Sequence, residues 1–273
     1  MRKKLKIENV ILSIFFLIFL ATFIYSSYKI IAWLVDSKNT KNQIDNVQNN
    51  VVVTEISDKD KEEIIGENKK IPKSNPYWNY IKMNMMDVKF NKLKEINDEV
   101  VGWIKVNGTN INYPFVKHTD NDYYLNKSFD KSYNEAGWVF MDYRNNEKEF
   151  DKNTILYAHG RYDNTMFGTL KNVLNNNWIK DSNNYIIKIS TENENTLWQV
   201  FSVYHIKTTS DYLKINFNKE DEYKEFLNML IKRSAYDFNT SIDENDKILT
   251  LSTCFNNSEK MVIHAKLIKK MTK

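Results

Sequence analysis

Thr250-Leu251-Ser252-Thr253-Cys254 closes a run that begins at Lys247 and ends in the only cysteine of a 273-residue chain. The run reads as a buried strand, Lys247 to Thr253, that delivers a thiol at its end. Side chains alternate along a strand, so Ile248, Thr250, Ser252 and Cys254 share one face, while Leu249, Leu251 and Thr253 share the other. The second face is the more apolar and is expected to be the core. Cys254 then lies on the more polar face, beside the loop Phe255-Asn256-Asn257-Ser258-Glu259. A lone thiol forms no disulfide within its chain, which leaves two uses, packing or reactivity. The position at a strand end favours reactivity.

A nucleophilic thiol needs a group to take its proton, most often histidine. The chain offers His118, His159, His205 and His264. His159 ends the β-type run Thr154-Ile155-Leu156-Tyr157-Ala158 and precedes Gly160, a setting from which a ring can project into a cleft. His264 is near in sequence but badly placed. If Lys247–Cys254 and Lys260–Ile268 are the arms of a hairpin, Lys260 lies opposite Cys254. His264 is then four residues further along, on the order of 13 Å away at about 3.3 Å per residue, beyond the reach of proton transfer. His205 belongs to the strand-like run Thr196–Lys207, and His118 to a polar loop after Pro114.

Taken in order, four segments resemble the sortase family: Leu156-Tyr157-Ala158-His159-Gly160; Asn164-Thr165-Met166-Phe167-Gly168-Thr169-Leu170; Thr250-Leu251-Ser252-Thr253-Cys254; and Met261-Val262-Ile263-His264-Ala265-Lys266-Leu267. Gly102-Trp103-Ile104, Asn110-Ile111-Asn112-Tyr113-Pro114 and Gly137-Trp138-Val139-Phe140-Met141-Asp142-Tyr143-Arg144-Asn145 narrow the resemblance to class B, as does a long insertion before the cysteine strand. The resemblance covers roughly residues 75–270. It departs from the family at one place. Sortases carry an arginine at the start of the strand after the cysteine, and here that place holds Lys260. Lysine keeps the charge but loses the planar two-pronged donor.

The N-terminus is basic (Arg2, Lys3, Lys4, Lys6) and leads into an apolar run from Val10 to Tyr28. Those residues would span roughly 28 Å as a helix, close to the ~30 Å hydrocarbon thickness. The positive flank keeps the tail cytoplasmic and sends the remainder outside. A cleaved signal peptide is the alternative; the run exceeds its usual length, and no small-x-small site follows. The organisation expected is a basic tail over 1–9, a transmembrane signal-anchor over 10–35, an extracellular polar stalk over 36–74 and a catalytic domain over 75–273. With a single cysteine, stability outside the cell has to come from a core, for which ~200 residues suffice. The net charge of +4 comes with no basic, aromatic-studded stripe, which argues against nucleic-acid binding. With six glycines and one cysteine, neither a phosphate loop nor a Cys/His metal site is expected, and no cofactor is called for.

The domain should be mainly β. Eight short runs carry strand character: Val100–Val106, Asn110–Val116, Trp138–Met141, Thr154–His159, Tyr185–Ser190, Thr196–Lys207, Lys247–Thr253 and Met261–Ile268. Asn107-Gly108 marks a turn between the first two. Eight such strands argue for a closed barrel or a sandwich, and the sortase resemblance implies an eight-stranded barrel. Tyr77, Trp78, Tyr80, Ile81, Val88, Leu93 and Ile96 have helical spacing, so one or two N-terminal helices are expected there. Tyr223, Phe226, Leu227, Leu230 and Ile231 predict an amphipathic helix over Lys219–Lys232, capped by Asn218 and inserted before the cysteine strand.

What the resemblance implies is a membrane-anchored cysteine transpeptidase on the outer face of a Gram-positive-type cell. Cys254 would be the nucleophile and His159 its proton partner. Lys260 would stand in for the arginine at the oxyanion. Ser252, Thr253, Thr165, Met166 and Phe167 would shape the substrate cleft. The partner would be the sorting-signal peptide of a surface protein, of the Asn-Pro-x-Thr-Asn or Pro-Pro-x-Thr-Gly type. The acceptor would be an amine of peptidoglycan or of a pilin-like subunit. Two other readings stay open: a cysteine endopeptidase that hydrolyses its thioester, and a sortase-like surface domain weakened by loss of the arginine.

Overall fold

The computed structural model describes residues 7–66, 71–254 and 258–273, and at Cys254 the backbone only. Helix α1 (Ile7–Asn49) is followed by strands β1 (Val53–Ile56) and β2 (Glu63–Ile64), the single turn α2 (Tyr77–Tyr80), β3 (Met85–Val88) and the short helix α3 (Asn91–Ile96). Then come β4 (Val100–Val106), β5 (Asn112–Val116), β6 (Phe140–Met141), β7 (Asn153–Tyr157), the short helix α4 (Asn176–Lys180), β8 (Ile186–Ser190) and β9 (Glu194–Lys207). Helix α5 (Glu220–Arg233), β10 (Ile248–Cys254) and β11 (Glu259–Thr272) complete the chain.

The strands run β10-β7-β6-β5-β4-β8-β9-β11, and β11 pairs back onto β10. That last pairing closes an eight-stranded barrel, and β2 adds to the free edge of β11 at Lys269 and Lys270. Closure removes the exposed edges that an open sheet of this size would carry. Trp103, Phe115, Leu156, Ile189, Trp198, Leu249, Leu251 and Ile263 fill the interior, all fully buried. Gly108 takes a φ of +70° in the turn after β4, as the Asn107-Gly108 pair suggested.

The two faces of β10 separate as the alternation predicts, with one difference. Leu249 and Leu251 enter the barrel core. Ile248 lies under a second apolar layer with Tyr204, Tyr212, Tyr223, Phe226, Leu230 and Val262, which α5 places over the outside of the barrel. The polar face of the strand is therefore covered by protein, and Thr250 and Ser252 are buried. Helix α5 matches its predicted span, but Asn218 does not cap it by its side chain. Instead the Glu222 carboxylate reaches back to accept the Asn218 N–H at 2.8 Å.

Two N-terminal expectations change. Val88, read with a helical spacing, lies in β3, which pairs with β1 and separates α2 from α3. The described residues of the stretch 36–74, expected as a polar stalk, lie largely on the barrel. Helix α1 continues without a break to Asn49 and buries Ser37, Thr40, Ile44 and Val47. Gln48 donates to the Asn112 carbonyl at 2.8 Å. Further along, Glu55 pairs with Lys188 at 2.9 Å and Glu62 with the buried Lys269 at 3.2 Å. Polar residues here meet buried polar partners, a match that no local pattern reveals. The charge cluster at 67–70, residues 1–6 of the basic tail and loop residues 255–257 lie outside the described residues.

Candidate active site

Strands β7 and β10 run parallel, from Asn153 opposite Ile248 to Tyr157 opposite Ser252. Continued by two residues, the same offset sets His159 level with Cys254 on neighbouring chains, which lie about 4.8 Å apart in a sheet. Beyond the last ladder pair the chains stay together, because the Thr253 hydroxyl donates to the Ala158 carbonyl at 2.6 Å. In the hairpin of β10 and β11, Cys254 faces Lys260 and Thr250 faces His264, the register inferred from the sequence.

His159 is half-buried, and its Nε2 lies 2.8 Å from the Leu125 carbonyl. A carbonyl only accepts, so Nε2 carries the hydrogen and a neutral ring keeps its lone pair on Nδ1. The chain after His159 folds back on itself. Phe167 N–H donates to the His159 carbonyl at 3.0 Å, and Gly160 bridges Met166. Asn164 and Met166 adopt positive φ, 62° and 51°, to make this turn. Gly168 sits so close to it that a Cβ there would come within 2.3 Å of the Arg161 carbonyl.

The turn corrects one expectation. Thr165, Met166 and Phe167 do not line the cleft: they are buried, and Met166 and Phe167 belong to the barrel core. The reversal at Asn164 turns these side chains inward. Their outer neighbour Asp163 accepts from the Thr165 hydroxyl at 2.6 Å and from Ser37 of α1 at 2.8 Å, while Arg161 joins Asp163 to Asp36. Burial alone would raise the Asp163 carboxyl, but the hydrogen bonds from Arg161, Thr165 and Ser37 hold it well below the usual carboxylate range. The segment is a brace between the histidine and α1.

A cleft of about 540 Å³ opens over the strand ends. Its floor is Phe140, Tyr157, Ala158, His159, Ser252 and Thr253; one wall is Asn121 and Leu125, the other Thr208, Thr209, Ser210, Tyr212 and Leu213, and Lys260 also lines it. Ser252 and Thr253 line it, and Ser252 meets the Tyr212 hydroxyl at 3.0 Å. The sequence did not single out Asn121, Leu125 or Tyr212, because they come from separate loops and carry no local signal, whereas Phe140 lay within the quoted stretch from Gly137 to Asn145. Tyr157 lay within the Tyr-x-His run. Its hydroxyl donates to the buried Asp142 at 2.8 Å. Burial, then the nearby Asp142 charge, raises the Tyr157 phenol, which keeps it a donor. Burial would raise Asp142 too, but hydrogen bonds from Arg144, then Tyr157, hold it below the usual range.

The remaining histidines lie elsewhere. His264 is fully buried between the Thr250 hydroxyl and the Tyr204 hydroxyl, both at 2.9 Å. Burial, with Arg233 nearby, pushes it down to about 3, so it is neutral. His118 stacks on Tyr123 and bonds Glu99 at 2.8 Å. His205 is exposed on β9, opposite Met261 and 3.6 Å from Glu259.

A closed barrel that sets a histidine and the sole cysteine at the ends of adjacent parallel strands, over a peptide-sized cleft, has the architecture of a cysteine acyl-transfer enzyme. The family model of the sortase domain matches residues 104–268. The chain is 35% identical over 184 residues to sortase B of Staphylococcus aureus, covering 66% of this chain and 75% of that one. A crystal structure of a Bacillus anthracis protein similar to sortase B is 41% identical, with a TM-score of 0.61 over 66% of this chain and 82% of that chain. A Staphylococcus aureus sortase B–substrate complex is 35% identical, with a TM-score of 0.62 over 66% and 84%. The chain belongs to the sortase family and, within it, to class B, whose members are cysteine transpeptidases.

Proposed function

We propose that the chain is a membrane-anchored transpeptidase that joins surface proteins bearing a sorting signal to an amine. The observation that carries this reading is the parallel register of β7 against β10 up to Tyr157 opposite Ser252, which, continued by two residues, supports a pairing of His159 with Cys254 at one end of the cleft. In the first step the Cys254 thiol gives its proton to His159 and its sulfur attacks the carbonyl carbon of the scissile peptide bond. The S–C bond forms, the C–N bond breaks, and the departing amine takes the proton held by His159. Lys260 offers positive charge to the oxyanion of the tetrahedral intermediate. In the second step an acceptor amine attacks the thioester, gives its proton to His159 and releases the thiolate.

The cleft suits an extended peptide. Leu125, Phe140, Tyr157 and Leu213 offer apolar contact, and Asn121, Thr208, Thr209 and Ser210 offer polar groups along one groove. The Asn-Pro-x-Thr-Asn and Pro-Pro-x-Thr-Gly types remain the candidates, with peptidoglycan or a pilin-like subunit as amine donor. The Staphylococcus aureus relative with substrate bound supports a peptide in this groove. Helix α1 is long and apolar enough to cross a membrane, and its apolar N-terminal half is exposed. With the basic residues before it, this supports a single-pass anchor, cytoplasmic tail and external domain. A secreted-type reporter fused after Lys273 should be active, and an active cytoplasmic one there would overturn the topology.

The decisive experiment incubates the protein from residue 36 onward with a panel of sorting peptides and an amine acceptor, with products read by mass. Transpeptidation product from wild type, and none from Cys254→Ala or His159→Ala, supports the reading. Hydrolysis alone in excess acceptor would make the chain an endopeptidase, and no thioester at Cys254 would remove it from catalysis.

A further inference from the structure

Asp142 is completely buried just past β6, and neither it nor Arg144 lines the cleft. Asp142 nevertheless holds the cleft's polar groups. Its Oδ2 accepts from the Tyr157 hydroxyl at 2.8 Å, from Asn121 Nδ2 at 3.1 Å and from Arg144 Nη2 at 2.7 Å. Its Oδ1 accepts from Arg144 Nε at 2.8 Å and from the Arg144 backbone N–H at 3.0 Å. Arg144 Nη2 then crosses to the opposite wall and donates to the Leu213 carbonyl at 3.1 Å. Asn121 is locked a second time, because its Oδ1 accepts the Tyr143 N–H at 3.0 Å. One ion pair thus ties a residue of the near wall, a residue of the floor and the backbone of the far wall.

We propose that Asp142 and Arg144 are positioning residues that set the width of the cleft and the direction of its polar groups, and so select among peptides. The proposal rests on the transpeptidase reading above and concerns recognition at that same site. The far wall is a connection without regular structure over Thr208–Leu213 apart from one short turn, so its place depends on such ties. Asn153 holds its backbone from the strand side, at the carbonyls of Tyr212 and Lys214. Arg144 is the tie from the side of Asn121 and Tyr157. The guanidinium suits the task because one planar fork serves a carboxylate in two-pronged fashion and still reaches a carbonyl. Lysine would keep the charge and lose one of these directions. The Tyr157 hydroxyl, fixed as a donor to Asp142, and the Asn121 amide, with both ends used, present constant faces to a bound peptide.

The test measures KM and kcat across a panel of sorting peptides varied away from the scissile bond, together with the rate at which iodoacetamide alkylates Cys254. The proteins are wild type, Arg144→Lys, Arg144→Gln and the double variant Asp142→Asn/Arg144→Gln. The double variant guards against misfolding, since it removes both charges and does not leave the buried Asp142 carboxylate unpaired. The expected result is a KM raised about tenfold for the preferred peptide, the change typical of one charge-assisted hydrogen bond, and a flattened peptide ranking. Alkylation of Cys254 should match wild type, because the reagent needs no cleft wall. Folded variants that keep the wild-type KM and ranking overturn the proposal. So does a fall in alkylation in step with peptide turnover, which would place the effect on the thiol. A wild type that cleaves no peptide overturns the transpeptidase reading instead, and the recognition role falls with it.

Discussion

The Thr253 hydroxyl donates a 2.6 Å hydrogen bond to the Ala158 carbonyl, one residue before Cys254 on one strand and one before His159 on the other. Both residues are buried, so the bond is shielded from water. It fastens the two chains where the ladder has ended, and any slip there would change the distance between thiol and imidazole.

Thr253→Val keeps the shape and removes the donor. The expected cost is about 1–3 kcal/mol of stability for a buried hydrogen bond left half made. Turnover of a sorting peptide should fall by roughly tenfold or more, since a small misplacement of reacting groups is expensive. Thr253→Ser should restore most of both. Thermal unfolding and peptide kinetics on the three proteins check this, and a fully active Thr253→Val would show the bond to be incidental.

His264 gives a pH signature of stability, distinct from catalysis. Its folded value of about 3 lies below the ordinary histidine value of 6.5, so the unfolded chain binds the extra proton first. Stability from the neutral ring is fully present above pH 6.5 and is lost as pH falls toward 3, with a slope of at most roughly 1.4 kcal/mol per pH unit. The groups facing it are Thr250 on β10, Tyr204 on β9, the Tyr212 ring and Arg233 on α5. Urea midpoints measured across this range should show the acid-side loss in wild type and less of it in His264→Gln. At neutral pH His264→Gln should retain much of its turnover, whereas His159→Gln should lose it.

Lys260 pairs with Cys254 across the hairpin and lines the cleft. Loss of one oxyanion donor typically costs about 3 kcal/mol, near a hundredfold in rate. Lys260→Ala should lower the acylation rate by that order, read as pre-steady-state thioester formation. Lys260→Arg should match or exceed wild type. Equal rates for wild type and Lys260→Ala would assign the oxyanion to another group.

The boundary of the folded unit can be tested by truncation. A chain starting at residue 36 keeps the docked end of α1, whereas one starting at residue 50 loses the buried Ile44 and Val47 and the tie from Gln48 to Asn112. Burial of two such side chains contributes about 3–5 kcal/mol as an upper estimate. The shorter protein should unfold at markedly lower urea. A chain starting at residue 75, which also lacks β1 and β2, should be weaker still. Identical midpoints would mean that α1 merely rests on the barrel.

The sequence by itself determined the barrel strands and α5 and pointed to a candidate chemical pair. The eight barrel strands and α5 were legible because period-two and period-3.6 patterns report local burial, and the hairpin register of Cys254 with Lys260 followed from counting. His159 and Cys254 emerged from a motif with its spacing. Tertiary structure decided the rest. It closed the barrel by returning β11 to β10, covered the polar face of β10 with the layer under α5, and drew 37–64 onto the barrel through buried polar pairs such as Glu62 with Lys269. It turned Thr165, Met166 and Phe167 inward and assembled the cleft walls from Asn121, Leu125 and Thr208–Leu213. Such contacts join residues far apart in the chain, and a polar side chain looks the same in sequence whether its partner is water or a buried charge.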